Sequence, residues 1–208
     1  MNILAFDTSL NKTYIALFKD GAVFSSIFET DEKNYHSAYL ISGIKNIIEN
    51  NNLKMDDIDL IAVNNGPGSF TGIRVGVTVA KTMAKELNIP VIGVSSLDIL
   101  RKTYQNLDPD VILDARRETF YFKGNDEIKL ILYTDIQGLI TKNTIIADTS
   151  SMQHLNFNDK DVINYENDNE NLGIALLEIA KEKYSSNADF SWYNLKPQYI
   201  QAPPIHKK

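Results

Sequence analysis

The stretch "VNNGPGSFTGIRVGVTVAKTMAKEL", residues 63–87, decides how this 208-residue chain is expected to fold. It leaves an apolar run, passes through a turn punctuated by glycine and enters a long helical pattern. Gly66 and Gly68 permit backbone angles that are closed to other residues. The side chain of Ser69 or Thr71 can cap the first turn of a helix. The stretch therefore predicts a strand, a tight turn and a helix over about 70–87.

The turn has the shape of a phosphate-binding loop, but it fits none of the familiar enzyme motifs. A P-loop requires Lys and Ser or Thr after its last glycine, and here Gly72 is followed by Ile73 and Arg74. A dinucleotide-binding loop requires glycine where Thr71 stands, and a hydrolase nucleophile elbow requires glycine in place of both Pro67 and Thr71. Free N–H groups at the helix start can still meet an anion, so a nucleotide cradle and a purely structural turn both remain open.

The elements around this stretch follow the order β-β-β-α-β-α-β. Asp20 and Gly21 join two alternating strands within residues 12–29, which is a strong hairpin signal. Apolar residues at helical spacing predict a helix over 36–50. Further strands are predicted at 2–7, 58–64 and 89–95. This order is that of the ribonuclease-H-like lobe of actin-like ATPases and sugar kinases, so the sequence predicts an α/β fold of that class.

A second and reduced unit is predicted to follow the breaker Asp108-Pro109. It contains a strand, a hairpin with its tip at 124–126, a strand at 143–149, an amphipathic helix at 171–184 and an extended tail. The expected organisation is an N-terminal lobe over 1–103 and a smaller C-terminal α/β lobe with its tail over 104–208.

Composition limits the classes of function. The formal net charge of −6 and the pI near 5.1 argue against strong autonomous nucleic-acid binding, although a local basic patch stays open. The chain has no cysteine, which excludes a thiol nucleophile and cysteine metal ligands. No apolar run approaches the ~18 residues of a membrane span, and the N-terminus does not resemble a signal peptide. We therefore expect a cytoplasmic protein without a membrane partner.

The helix that follows the turn carries a second pattern. Small residues recur every four positions and make one narrow face, with apolar residues beside it. Such a face allows another helix to approach closely, either the helix predicted over 36–50 in the same chain or a helix of another molecule. The small-residue stripe consists of Gly72, Gly76, Ala80 and Ala84, and the apolar residues beside it are Val75, Val79 and Met83.

These segments together resemble the TsaB proteins, also called YeaZ. The shared segments are "ILAFDTS", the hairpin after it, "NNGPGSFTGIRVG", "IPVIGVSSL" and "LDAR" with the aromatic strand that follows, all in the same order. The resemblance covers about the first 122 residues, and beyond them only "P-x-Y-I" at 197–200 matches, with Gln201 where many relatives have arginine. The glycine-rich segment is a specific signature.

The resemblance implies a role in tRNA modification. TsaB is a non-catalytic subunit of the bacterial machinery that forms N6-threonylcarbamoyladenosine at position 37 of tRNAs reading ANN codons. It would form a heterodimer with TsaD, join the ATPase TsaE in a ternary complex, and meet tRNA only through that complex. A homodimer through the same helices is possible. The resemblance implies no cofactor of its own, with ATP and a metal on the partner subunits. The implied interface helices are about 36–51 and 70–87, with contacts at Leu40, Ile44, Arg74, Val75, Gly76, Val79, Ala80 and Met83.

No catalytic residue and no metal site are predicted. TsaD carries two histidines just after the strand that matches 89–95, and Ser96 and Leu100 stand there in this chain. His36, His154 and His206 are scattered rather than clustered as ligands must be.

Three other functions compete with the subunit role. The first is a small actin-like ATPase or kinase, for which Asp7 at the end of the first strand could organise Mg²⁺. The weak candidates for cofactor binding are accordingly Asp7, Gly66, Gly68 and Ser69. A ribonuclease-H-like nuclease needs several converging carboxylates, whereas the neighbouring strand ends in Asn64 and Asn65. Nothing in the sequence supports a peptidase.

Overall fold

Two mixed sheets of five strands each organise the described residues of the computed structural model, which are 1–29, 39–157, 159–168, 170–186 and 188–201. The first sheet has the order β3-β2-β1-β4-β5, in which β1 runs antiparallel to β2 and parallel to β4. Its strands are β1 (Ile3–Asp7), β2 (Thr13–Lys19), β3 (Ala22–Phe28), β4 (Leu60–Gly66) and β5 (Val91–Ser95).

The predicted hairpin between β2 and β3 is confirmed. Asp20 and Gly21 have φ angles of 50° and 84°, and positive φ at both central residues is what a two-residue type I′ turn requires. The register that follows pairs Lys19 with Ala22 and Thr13 with Phe28. The N-terminal strands therefore form where the sequence pattern placed them.

The second sheet has the order β10-β9-β6-β7-β8. The hairpin predicted at 124–126 is confirmed, because β7 and β8 pair antiparallel on either side of it. The strand that pairs in parallel with β9 at the edge of the sheet was not predicted, since its four residues lie in a polar stretch. The strands are β6 (Asp110–Arg116), β7 (Thr119–Lys123), β8 (Lys129–Leu132), β9 (Thr144–Ala147) and β10 (Asp161–Asn164).

Helices cover both faces of the first sheet. One hydrophobic cluster joins α1 and α2 to one face, and the other joins α3 and α5 to the opposite face and to the second sheet. Burial on both faces explains why β1 is continuously apolar from Ile3 to Phe6 rather than alternating. The helices are α1 (Leu40–Asn50), α2 (Phe70–Leu87), α3 (Ser96–Thr103), α4 (Thr149–Met152) and α5 (Leu172–Tyr184).

The predicted helix bounds agree well with these helices. The helix predicted from residue 36 is described from Leu40 onward, and its first residues lie outside the described ranges. The helix α3 was missed because it follows β5 without a glycine or proline, and Ser95 caps it by accepting from the N–H groups of Leu97 and Asp98. Within the described ranges, no helix is both long and apolar enough to cross a membrane.

The predicted α/β class is confirmed by this architecture. The lobe boundary at residue 103 stays a prediction. The helix α5 lies in the C-terminal half of the sequence, yet it packs on β1, β2 and β5 of the first sheet.

Candidate functional site

The glycine turn closes tightly onto the loop after β1. Gly66 has a φ of 110° and precedes a cis peptide bond to Pro67. A Cβ atom at Gly68 would lie 2.6 Å from the backbone oxygen of Ser9, so only glycine fits there. The N–H group of Ser69 donates to that same oxygen at 2.8 Å, and the Ser69 hydroxyl accepts from the N–H of Gly72 at 3.3 Å. The predicted turn is present, and of the two candidate caps, Ser69 and Thr71, it is Ser69 that caps the helix.

Asp7 lies at the centre of a buried polar network beneath this turn. Its side chain is 1% exposed. The N–H and hydroxyl of Ser9 donate to one carboxylate oxygen at 2.6 and 2.7 Å, and the side-chain amide of Asn64 donates to the other at 2.9 Å. Burial raises the pKa of Asp7 above its usual value, and the hydrogen bonds from Ser9 and Asn64 partly oppose that rise. The carboxylate is therefore occupied by protein groups.

The same network links Asp7 to the turn. The amide oxygen of Asn64 accepts from the N–H of Gly66 at 2.9 Å, and the buried Ser96 hydroxyl lies 2.9 Å from that oxygen. Ser96 occupies the position at which TsaD proteins carry a histidine. In this chain it joins the ends of β4 and β5 through its contact with Asn64. The sequence did not predict that Asn64 and Ser96 join one network, because a side-chain network leaves no spacing pattern.

The four weak cofactor candidates fall into two groups. Asp7 and Gly66 are buried, whereas Gly68 and Ser69 are exposed on the wall of an open cleft of about 480 Å³. The opposite walls are Asp114, Ala115 and Arg116 at the end of β6, and Gln198, Tyr199 and Gln201 of the C-terminal segment. The nucleotide cradle therefore stays an untested alternative to a purely structural turn.

The histidines are not brought together in the part of the chain that the structure describes. His154 stacks on Tyr133 with the ring centroids 4.3 Å apart, while His36 and His206 lie outside the described residues. Among the described residues, no group of three or more histidine, aspartate or glutamate side chains has the arrangement of a metal site.

The small-residue stripe faces the chain's own first sheet. A Cβ atom at Gly72 would lie 1.9 Å from the backbone oxygen of Thr8, and one at Gly76 would lie 3.3 Å from Val63. The Thr8 hydroxyl donates to the Gly72 carbonyl at 2.7 Å, and Ala80 is fully buried. The stripe thus allows α2 to approach β1 and β4 closely.

Four of the predicted interface residues are buried within the chain itself. Gly76 and Ala80 pack against the first sheet, and Leu40 and Ile44 of α1 are 0% and 2% exposed. They belong to the core of this chain, and a contact between these four residues and a partner stays a prediction. The alternative that the stripe packs inside its own chain was open from the sequence, but the structure places it on the sheet rather than on α1.

The other predicted contacts lie on the surface of α2. Val75, Val79 and Met83 are half-buried at the edge of the α1–α2 cluster and recur every four residues. We call these three residues the apolar flank. On α1, Ile41 is 61% exposed, although its spacing grouped it with the core residues Leu40 and Ile44.

Arg74 lies on a different side of α2 and is held by aromatic residues. Its guanidinium lies 3.8 Å from the centroid of the Phe70 ring, and its Nε donates to the Tyr199 hydroxyl at 3.2 Å. Lys81 and Lys85 share this side of the helix by the 3.6-residue repeat. We call Arg74, Lys81 and Lys85 the basic flank.

Comparison with known proteins gives one family model and several relatives. The model described as "TsaD: tRNA N6-adenosine threonylcarbamoyltransferase" matches residues 26–197. A TsaB from Bacillus subtilis (strain 168) is 38% identical over 123 residues, which are 58% of this chain and 53% of that protein. A TsaB from Escherichia coli (strain K12) is 36% identical over 97 residues, 47% of this chain and 41% of that protein. The chain thus spans about half the length of the curated relatives it matches.

One solved structure shares the fold over nearly the whole chain. YeaZ from Pseudomonas aeruginosa superposes with a TM-score of 0.82 and 19% sequence identity, covering 96% of this chain and 99% of that one. At this identity the match shows the fold alone.

Proposed function

This chain belongs to the family described as TsaD, tRNA N6-adenosine threonylcarbamoyltransferase, and within it to the TsaB (YeaZ) proteins, and on that premise we propose that it takes part in threonylcarbamoyladenosine biosynthesis in tRNA. Its role is that of an accessory subunit which binds TsaD and supports the transfer to position 37 of tRNAs reading ANN codons. We also propose that the chain acts in the cytoplasm. Catalysis, the metal and ATP belong to the partner subunits, and TsaE and the tRNA substrate join the complex that the chain forms with TsaD.

The observation that carries the partner role is the apolar flank. Three apolar side chains in line on an 18-residue helix are half-exposed, and Ile41 adds a largely exposed side chain on α1. Both helices cover the same face of the first sheet through one hydrophobic cluster. A rigid pair of helices with apolar surface is suited to docking against helices of a homologous fold.

The proposal also includes a homodimer that forms through the apolar flank. Two copies of the chain can pair through their apolar flanks, and such a homodimer would compete with TsaD because it covers the same residues. Size measurements on the chain alone and with TsaD distinguish the two states.

The alternative function is a small ATPase or kinase acting alone. It requires Asp7 to offer an oxygen to Mg²⁺, whereas Asp7 is 1% exposed and both of its oxygens accept hydrogen bonds from protein groups. Burial and satisfied acceptors are typical of a structural carboxylate. ATP turnover by the chain alone that disappears in Asp7→Ala would restore this alternative.

The test is copurification with TsaD and a transfer assay on tRNA with and without this chain. Val79→Glu places a charge in the apolar flank, and we expect it to weaken the association with TsaD at least about a hundredfold because the carboxylate would be desolvated. Thr78→Glu is the matched control, since Thr78 is the exposed neighbour on the same helix. Transfer that proceeds equally well without the chain refutes the proposed function.

A further inference from the structure

The basic flank of α2 is lined by aromatic side chains from a distant part of the chain. The ammonium groups of Lys81 and Lys85 lie 5.9 and 5.6 Å from the centroid of the Trp192 ring. Arg74 lies over Phe70, whose ring is 5.1 Å from that of Tyr199. Cations and aromatic rings therefore alternate along one side of the helix, and we call this arrangement the strip.

The C-terminal segment, residues 188–201, forms the second wall of this strip. It is fixed along α2 and the end of β4, because Lys81 donates to the Leu195 carbonyl at 3.1 Å and the N–H of Gln198 donates to the Asn65 carbonyl at 2.7 Å. Trp192, Tyr193 and Tyr199 are 37%, 56% and 41% exposed. The rings are held in place and still present free surface.

The local charge is opposite to that of the chain as a whole. The chain has a net charge of −6, yet the basic flank carries three cations. Asp189 is the one acidic residue in the sequence of the C-terminal segment, and its carboxylate accepts hydrogen bonds from Ser191 and Asn194 of its own turn. The acidic residue of α2, Glu86, lies on another side of the helix by the 3.6-residue repeat.

Alternating cations and exposed rings suit single-stranded nucleic acid. Phosphates bind the cations while bases stack on aromatic faces, and the stacking tolerates any sequence. A rise of about 1.5 Å per residue places Lys85 about 16 Å from Arg74 along the axis, which is long enough for several nucleotides. An acidic peptide would satisfy the cations but would leave the planar faces of Trp192 and Tyr199 without a stacking partner.

We infer that the basic flank, together with Trp192 and Tyr199, binds single-stranded RNA. The inference rests on the proposed function, in which the substrate of the complex is a tRNA, and it assigns to this chain a direct contact with that RNA. The strip is separate from the apolar flank, so RNA and TsaD can bind the same helix at once.

The experiment measures fluorescence anisotropy of a labelled single-stranded RNA of about twelve nucleotides with the full chain at 50 mM salt. We expect measurable binding, and a loss of about tenfold in Lys85→Glu and in Trp192→Ala. Lys85→Glu is the more informative variant, because Lys85 is exposed and its change leaves the core intact. Lys129→Glu is the matched control, with the same change of charge on β8, the edge strand of the second sheet.

Each other outcome overturns the inference. Absence of RNA binding by the wild-type chain does so directly, and equal losses in Lys85→Glu and Lys129→Glu would show general electrostatic attraction. Loss of TsaD binding in Lys85→Glu with unchanged RNA affinity would make the strip a protein contact. The transfer assay separates the two proposals: a chain that binds RNA as expected but leaves transfer unchanged refutes the proposed function alone.

Discussion

The apolar flank and the basic flank of α2 lie on one helix and present opposite chemistries. Val75, Val79 and Met83 continue the hydrophobic cluster outward to the surface, whereas Arg74 and Lys81 are bound to the C-terminal segment through Tyr199 and Leu195. The third side of the helix is closed against the first sheet by the small-residue stripe.

This division shows how one helix can serve two partners. The stripe fixes the rotation of α2 on the sheet, and that rotation decides which residues reach the surface on either side. A partner recognised by apolar contact and a ligand recognised by charge then meet different residues, so the two recognitions can be separated by substitution.

The largest effect is expected where the stripe sets the rotation. Gly72→Ala places a Cβ atom 1.9 Å from the Thr8 backbone oxygen, which cannot move without displacing β1. We expect the free energy of unfolding to fall by about 3 kcal/mol or more, at the upper end for overpacking. Urea denaturation measures it, with Gly138→Ala as control because a Cβ there meets nothing within 4 Å. Wild-type stability in Gly72→Ala would contradict the close packing on which the comparison depends.

The salt dependence of binding distinguishes the two flanks without any substitution. With three cations on the strip, RNA affinity should fall roughly fifteen- to twentyfold between 50 and 200 mM salt, since each phosphate contact with a single strand contributes a slope of about 0.7. Binding to TsaD through the apolar flank should change less than about twofold. Parallel titrations of the two complexes measure both dependences. A TsaD affinity that falls as steeply as RNA affinity would mean that the flanks are not distinct in function.

Gly93→Ala tests the basic flank from its other wall. A Cβ atom there would meet the Asn65 side chain at 2.8 Å and the Leu195 side chain at 2.9 Å, both of which have some freedom to move. We expect a loss of about 1 kcal/mol in the free energy of unfolding and a severalfold loss of RNA affinity as the C-terminal segment shifts. Binding to TsaD should be unchanged. Weaker TsaD binding in this variant would show that the segment supports both flanks.

The sequence predicted these elements better than it predicted their surfaces. Residues 70–87 were expected to be helical, and α2 has those bounds. The small-residue stripe was recognised, but the same spacing suits a sheet and a partner helix equally. The deciding contact is made by Thr8, which lies 64 residues from Gly72 in the sequence. Burial of a helix face by a distant strand leaves no local signal.

The sequence did not predict the basic flank, for a similar reason. Arg74 was singled out as a polar contact, but its hydrogen-bond partner Tyr199 lies 125 residues away, and the "P-x-Y-I" match gave no hint of the contact. Overall charge also argued against nucleic-acid binding, because a net value averages over surfaces that the fold keeps apart. Ile41 and Leu40 show the same limit: adjacent residues in a helix point about 100° apart, so Leu40 is buried while Ile41 is exposed.

The smallest expected effect is that of low pH on the turn that holds Trp192 in the C-terminal segment. The hydrogen bonds from Ser191 to the Asp189 carboxylate lower the pKa of Asp189 below 3.8, the ordinary value. A carboxyl group whose pKa is lower in the folded state stabilises the fold at pH values above its unfolded-state pKa. This stabilisation is lost as the pH falls through the folded-state pKa. Trp192 is the single tryptophan of the chain, so its emission reports on this turn.

We therefore expect the Trp192 emission to change as the pH falls below about 4 in wild type, and the same change to be absent in Asp189→Asn. Asp108→Asn is the control, because the pKa of Asp108 is also lowered, first by its hydrogen bond with Lys142, but that ion pair lies away from the segment. If the emission of Asp189→Asn follows the same pH dependence as wild type, the turn does not hold Trp192 in place. The rigidity of the aromatic wall would then have to come from the contacts of Lys81 and Lys85, and the basic flank would be arranged by α2 rather than by the C-terminal segment.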